Sequence, residues 1–253
     1  MLKAEAVSIR LDGRMIVSEA SFEARRGEIT VLAGPNGAGK TTLLKAAAGL
    51  LSYEGTIRFD CEALEPLPQR QRAARISYLA QAQAAHWPMS VFDIVALGRL
   101  PHRVSSVHLD DADREAIEAA LDNAGLSAFA DRRIDTLSQG EQARVMIARA
   151  LCQGAPCLLA DEPAAALDPY QQLQCLELLQ CEAGRGTAVL IVLHNLGLAA
   201  QFADKVVLMA NGRILAAGAP GNVLTPERLE SIYRIRPAER QSPLGPMWRR
   251  ATS

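Results

Sequence analysis

Residues 34–41 read Gly34-Pro35-Asn36-Gly37-Ala38-Gly39-Lys40-Thr41 and fit the spacing Gly-x4-Gly-Lys-[Ser/Thr]. The chemistry open to that spacing is the cradling of a polyphosphate. An apolar strand candidate, residues 29–33, delivers the chain to a glycine loop, and a helical run over 42–48 follows. Successive backbone N–H groups then converge at a helix N-terminus, whose partial positive charge favours anionic oxygens. Lys40 can reach the β- and γ-phosphates of a nucleotide, and the Thr41 hydroxyl can ligate Mg²⁺. A glycine turn with no ligand is the bland alternative, and the flanking strand and helix leave it little room.

Two further stations offer matching chemistry. Leu158-Leu159-Ala160-Asp161-Glu162 is an apolar strand candidate ending in two acids, the place where a phosphate-loop fold holds its metal. There Asp161 is a metal ligand and Glu162 is placed to polarise an attacking water. Leu137-Ser138-Gln139-Gly140-Glu141 precedes a helical run over 142–152, and Ser138 with the Gly140 backbone makes a second anion-binding corner.

The elements that must carry these residues are legible in outline. Short strand signals at 4–9, 21–24, 29–33, 55–59 and 76–80 precede a helical region from about 82 to 150. Within it, residues 110–121 have an acidic first turn and apolar residues at helical spacing. Strands return at 157–160 and 187–193, each followed by a helical segment. Asn211-Gly212, between strand candidates 206–209 and 213–216, is a hairpin signal. The uncharged stretch 186–203 approaches membrane-spanning length, but His194, Asn195 and Gln201 make it a buried strand followed by a helix. The polar tail from about 236 is expected to be ordered only in part.

Composition excludes some classes. The 253 residues carry a net charge of −1 and 4% aromatics, which gives neither the basic field nor the stacking platforms of a nucleic-acid binder. The five cysteines, Cys61, Cys152, Cys157, Cys175 and Cys181, contain no Cys-x-x-Cys and read as reduced thiols. The N-terminal residues lack the apolar core of a signal peptide, so a cytosolic location is expected.

Taken in order, the motifs resemble those of the ATP-binding-cassette (ABC) ATPases over roughly residues 3 to 235. The family signature Leu-Ser-Gly-Gly-Gln is varied here, with Gln139 for the first glycine and Glu141 for the glutamine. Further positions are carried over by the resemblance. Gln81 matches the glutamine that contacts Mg²⁺ and links core to helical subdomain. Ala166-Leu167-Asp168 matches a loop crossing the dimer seam, and His194 matches a histidine at the γ-phosphate. The aromatic that stacks on adenine in the family is replaced by Leu11.

The resemblance implies an α/β fold: a P-loop NTPase core of mixed, largely parallel sheet with flanking helices, plus an antiparallel β subdomain and an inserted α-helical subdomain. The ABC ATPase domain would cover 1–235, with the helical insert at about 82–150 and a tail at 236–253. Gly34, Pro35, Asn36, Gly37, Ala38, Gly39, Lys40, Thr41 and Thr42 would bind ATP in one chain. Ser138, Gln139 and Gly140 of a second chain would cover it, making a homodimer. Thr41, Gln81 and Asp161 would hold Mg²⁺, while Glu162 and His194 would be catalytic.

One copy of each motif, no long coiled coil and no Asn-Lys-x-Asp leave the free-standing subunit of a transporter. The stretch from Trp87 to His102, with Gly98-Arg99-Leu100-Pro101-His102, resembles cassettes that power import of iron–siderophore, haem or cobalamin complexes. The implied partners are an integral membrane permease, docking along 87–103, and an external substrate-binding protein. The implied place is peripheral, on the inner face of the cell membrane, with no nucleic acid involved. The alternative is a soluble ABC-type ATPase with a regulatory or nucleic-acid-associated role.

Overall fold

The computed structural model describes residues 1–81, 88–103, 109–165, 167–242 and 245–250. Trp87 and Ala166 therefore lie outside the described residues, as do 82–86 at the start of the helical region. The chain opens with β1 (Leu2–Leu11) and β2 (Arg14–Ala24), followed by β3 (Ile29–Ala33) and helix α1 (Lys40–Ala47). Next come β4 (Glu54–Phe59), β5 (Glu62–Ala63), α2 (Gln69–Ala73) and β6 (Ile76–Leu79). The helical region holds α3 (Val91–Ala96), a 3₁₀ turn over Leu97–His102, α4 (Asp111–Asn123) and α5 (Gln139–Cys152). Then β7 (Cys157–Asp161), α6 (Pro169–Gly184), β8 (Ala188–Val192), α7 (Leu196–Phe202), β9 (Lys205–Ala210) and β10 (Arg213–Gly218) complete the core. Helices α8 (Pro220–Val223) and α9 (Pro226–Tyr233) lead to strands β11 (Ile235–Ser242) and β12 (Gly245–Arg250).

β3, β7 and β8 are mainly apolar and buried along their whole length, with Thr30 and the terminal Asp161 as the polar exceptions. That pattern suits strands covered on both faces, and they are the middle of a six-stranded sheet ordered β10-β9-β3-β8-β7-β6. Every pair from β9 to β6 is parallel, and β10 joins β9 antiparallel through the Asn211-Gly212 turn. An antiparallel sheet ordered β2-β1-β4-β5 packs against α1 and the first face of the main sheet. Helices α5, α6 and α7 cover the second face. A third apolar cluster, built from α3, α4 and one side of α5, makes the helical layer. No helix among the described residues is long and apolar enough to cross a membrane. Cys152, Cys157 and Cys175 are buried, Cys61 and Cys181 exposed, and all five thiols are free.

Within the tail, β11 and β12 pair as an antiparallel ribbon, while 243–244 and 251–253 lie outside the described residues. Both strands of a lone ribbon are edges, so Pro237 and Pro246 cost it little. The Gly98–His102 stretch is tied to α4 and to α5 with the residue after it. A Cβ at Gly98 would stand 2.3 Å from the Arg149 carbonyl oxygen, so the 3₁₀ turn lies directly on α5. Arg99 Nε donates to Asp113 Oδ1 at 2.9 Å and its Nη1 to the Cys152 carbonyl at 3.1 Å. His102 Nε2 is hydrogen-bonded to the Gln153 carbonyl at 2.6 Å.

Candidate active site

Parallel strands end on one edge, and that edge collects the predicted residues. Leu79 of β6 pairs with Ala160 of β7, and Asp161 pairs with Val192 of β8, which in turn lies opposite Leu32 of β3. The segments leaving β6, β7, β8 and β3 therefore start at one level and bring Gln81, Asp161 with Glu162, His194 and residues 34–41 together. Crevices at the carboxyl ends of such strands are where α/β sheets bind ligands.

The phosphate loop has the form its sequence requires. Gly34 has φ +151°, and a Cβ there would lie 2.2 Å from the Met209 carbonyl oxygen, so a side chain has no room. Helix α1 starts at Lys40 with no side-chain cap and no acid in its first turn, which leaves its first N–H groups facing outward. Lys40 is buried, and its ammonium donates to the carbonyls of Gly34 at 2.7 Å and Pro35 at 3.0 Å. Burial pulls its pKa below the usual lysine value, while the nearby Glu162 and Asp161 act against that shift. Thr42 follows Thr41 in the first turn of α1.

Thr41 Oγ1 donates to Asp161 Oδ1 at 2.9 Å, joining loop to β7. Asp161 is almost fully buried; burial raises its pKa, the Thr41 hydrogen bond opposes this, and neighbouring Glu162 adds to it. A buried carboxylate raised in this way gains from a cation. Glu162 sits in the left-handed region at φ +51°, a conformation costly for a residue with a Cβ, and the turn aims it back over the edge. Both of its carboxylate oxygens are engaged. Gln81 Nε2 donates to Oε2 at 3.1 Å, and His194 Nε2 is hydrogen-bonded to Oε1.

The second corner lies elsewhere. Ser138 caps α5, with Glu141 reaching back in a reciprocal capping box. The hydrogen bonds of Ser138 stay within that cap, and Gly140 faces Gln171 of α6, so Ser138, Gln139 and Gly140 are not joined to the phosphate loop of their own chain. Asp168 caps α6, its Oδ1 accepting the Gln171 N–H at 2.9 Å. Leu11 is 37% exposed at the β1–β2 turn, opposite Arg14. A Cβ on Gly39 would touch Val17 and the Ile16 carbonyl, so this hairpin flanks the loop. Tyr78 was not anticipated. Its buried hydroxyl lies beside Asp161 without meeting hydrogen-bond geometry, and burial, then that carboxylate, pushes its pKa up to about 12. A phenol in a short buried strand, three residues before Gln81, was the available signal.

A phosphate cradle, a buried acid bonded to the loop threonine and an oriented second acid define a P-loop nucleotide hydrolase. The sequence profile described as ABC transporter matches residues 17–165, and the chain belongs to that family. It is an ATP-binding, ATP-hydrolysing cassette. The hemin import ATP-binding protein HmuV of Rhizobium johnstonii is 42% identical over 241 residues, covering 92% of this chain and 90% of the relative. HmuV of Gloeobacter violaceus is 40% identical over 243 residues, covering 93% and 88%. Among solved structures, an inward-facing transporter assigned to the metal-chelate type aligns with TM-score 0.83 and 25% identity, over 98% of this chain and 95% of that one. The dimeric cassette MJ0796 bound to ADP and Pi aligns with TM-score 0.74 and 25% identity, over 87% and 99%.

Proposed function

We propose that this cassette works as one of a pair beneath a membrane permease and powers import of a metal chelate of the iron–siderophore, haem or cobalamin type. The observation that carries the chemistry is Glu162, held at both oxygens by Gln81 and His194 beside the phosphate loop. The cargo class is supported by the HmuV relatives at about 40% identity. The place that follows is cytoplasmic, peripheral on the membrane, with the binding protein reaching the cassette through the permease. The ATPase domain would then span 1–235 with 82–150 as its helical insert.

The residues divide the work of hydrolysis. Lys40 supplies the counter-charge for the β- and γ-phosphates, and the uncapped N–H groups of α1 take the remaining oxygens. The hard oxygens of Thr41 and Asp161 suit Mg²⁺, which needs only one or two carboxylates alongside phosphate oxygens, with Gln81 as a further ligand. When bound, the ion neutralises charge on the transferring phosphoryl group. Glu162 takes the proton of the attacking water, and His194 fixes the direction of its carboxylate. Ser138, Gln139 and Gly140 cannot serve their own loop and would close over the nucleotide of the second copy.

The test is Glu162→Gln, which keeps the shape and removes the base. It should bind ATP normally, pair in its presence, and lose roughly 10²–10⁴ in turnover. Full-rate hydrolysis would overturn the role of Glu162. In vesicles holding the cognate permease, haemin, ferric siderophore or cobalamin delivered by the binding protein should raise ATPase activity. Stimulation by an amino acid or a sugar instead would overturn the cargo class and leave the ATPase reading standing.

A further inference from the structure

Tyr78 carries a hydroxyl for which the described residues supply no hydrogen-bond partner. In the parallel ladder Tyr78 of β6 lies opposite Leu159 of β7, and alternation along β7 puts Leu159 and Asp161 on one face of the sheet. Leu159 belongs to the apolar cluster shared with α1, and the Tyr78 ring packs against that same cluster. Register and packing together bring the phenol to the face where Thr41, at the start of α1, bonds Asp161. There its oxygen is closed off from water, with the Asp161 carboxylate as its charged neighbour. Asp161 Oδ1 takes the Thr41 hydrogen bond, and a carboxylate has acceptor sites beyond that one. A hydroxyl left buried and unpaired destabilises a chain, and phenylalanine would fill the same space without that cost. Natural chains keep few such groups, and a role at a neighbouring site is a reason to keep one.

We propose that Tyr78 is a positioning residue for Asp161: when Mg²⁺ and nucleotide are bound, its hydroxyl donates to the Asp161 carboxylate and holds it toward the cation. The inference rests on Asp161 being a metal ligand, as proposed above. Hydrogen bonds that reach a ligating group from behind set its direction, and their loss weakens metal binding by about 10- to 100-fold. Tyr78 suits that part because packing fixes its ring on β6 while its oxygen alone meets the acid. That oxygen is bonded to none of residues 34–41, so its influence falls on the cation-dependent share of nucleotide binding. The segment 78–81 then serves one cation twice, through Gln81 as a ligand and through Tyr78 behind Asp161.

Tyr78→Phe tests this, since it removes one oxygen and keeps the ring. Calorimetry with a non-hydrolysable ATP analogue, in EDTA and across a Mg²⁺ titration, separates the two shares of binding. Affinity in EDTA should stay within about twofold of the parent, because the phosphate loop is untouched. The Mg²⁺ concentration for half-saturation should rise about tenfold. Tm in EDTA should be no lower than the parent's, because the variant loses no hydrogen bond there. A merely structural hydroxyl gives the opposite pattern: a lower Tm in EDTA, and affinity that falls equally with and without Mg²⁺. That pattern, an unchanged Mg²⁺ half-point, or a variant that fails to fold overturns the proposal. Asp161→Asn is the control for the reading beneath it and should lose most of the gain that Mg²⁺ gives. If Asp161→Asn keeps the parent's half-point, Asp161 is not a metal ligand, and the inference falls with that assignment.

Discussion

Replacing Asp113 with asparagine should loosen the helical layer while leaving the phosphate loop intact. The Asp113 side chain is 6% exposed and sits between two guanidinium groups, Arg99 at 2.9 Å and Arg103 at 3.8 Å, each 15% exposed. Arg103 Nε and Nη2 already lack a hydrogen-bond partner among the described residues, so Asp113 is the counter-charge for both arginines. Breaking a buried pair at one partner costs about 3–5 kcal/mol. Asparagine keeps an acceptor for Arg99, which points to the lower end, about 3 kcal/mol. At about 2–4 °C per kcal/mol for a chain of this size, Tm should drop by roughly 6–12 °C. The pH dependence gives a second readout. The Arg99 hydrogen bond holds the Asp113 carboxyl below its ordinary value of 3.8. A depressed carboxyl contributes stability above its unfolded value and loses it as the pH falls through the folded one. The gap between parent and Asp113→Asn should therefore be full at neutral pH and close in acid, below 3.8. Scanning calorimetry at pH 7.5 and along an acid series would measure both. A neutral-pH Tm within about 2 °C of the parent would refute the reasoning, since it would show a pair worth under 1 kcal/mol.

Two other outcomes follow from the nucleotide edge. With Lys40 proposed as the counter-charge of the γ-phosphate, Lys40→Ala should weaken ATP binding by about 1.5–3 kcal/mol, roughly 10- to 150-fold, read by calorimetry; unchanged affinity would remove Lys40 from the site. Leu11→Tyr places a ring at the hairpin tip beside the loop and should tighten ATP by about 1–3 kcal/mol, with GTP competing better against the parent than against the variant; no gain would show that another side chain covers the base.

The sequence carried the parts of this molecule that are local. Asn211 and Gly212 take positive φ values of 50° and 75°, and the Asn-Gly pair announced that turn because few other residues adopt it. The strands of the main sheet were legible as apolar runs since both of their faces are covered. The antiparallel sheet was less so. β2 runs from Arg14, well before the four residues anticipated, and irregular register with positive φ at Ala6 and Glu19 breaks the alternation that marks a strand. At the site, residue order located each group but not its neighbours. That Glu162 is held by residues 81 and 32 positions away depends on the strand order β8-β7-β6, and no spacing encodes it. Arg99 and His102 lie in the stretch expected to dock a permease, and the structure adds contacts within the chain. Their bonds to Asp113, Cys152 and Gln153 depend on how three helices pack, which side-chain type alone does not disclose.

Helix α5 is gripped along its length and at both ends. Ala143, Ile147 and Ala150 lie in the cluster under the main sheet, while Val145, Ala148 and Cys152 lie in that of the helical layer. Its far end is pinned by Gly98 against Arg149, by Ser77 Oγ donating to the Ala150 carbonyl at 2.9 Å, and by Gln153 donating to the Ile76 carbonyl at 3.0 Å. Packed interiors transmit strain and compress little. Fourteen residues at 1.5 Å each make a rod of about 21 Å with Ser138 at one tip and the footing of β6 at the other. A pull on Ser138 has no slack to take up along that rod. It arrives at the root of β6, the strand that leads to Gln81, so force applied at one end of the helix reaches the Glu162 carboxylate from behind.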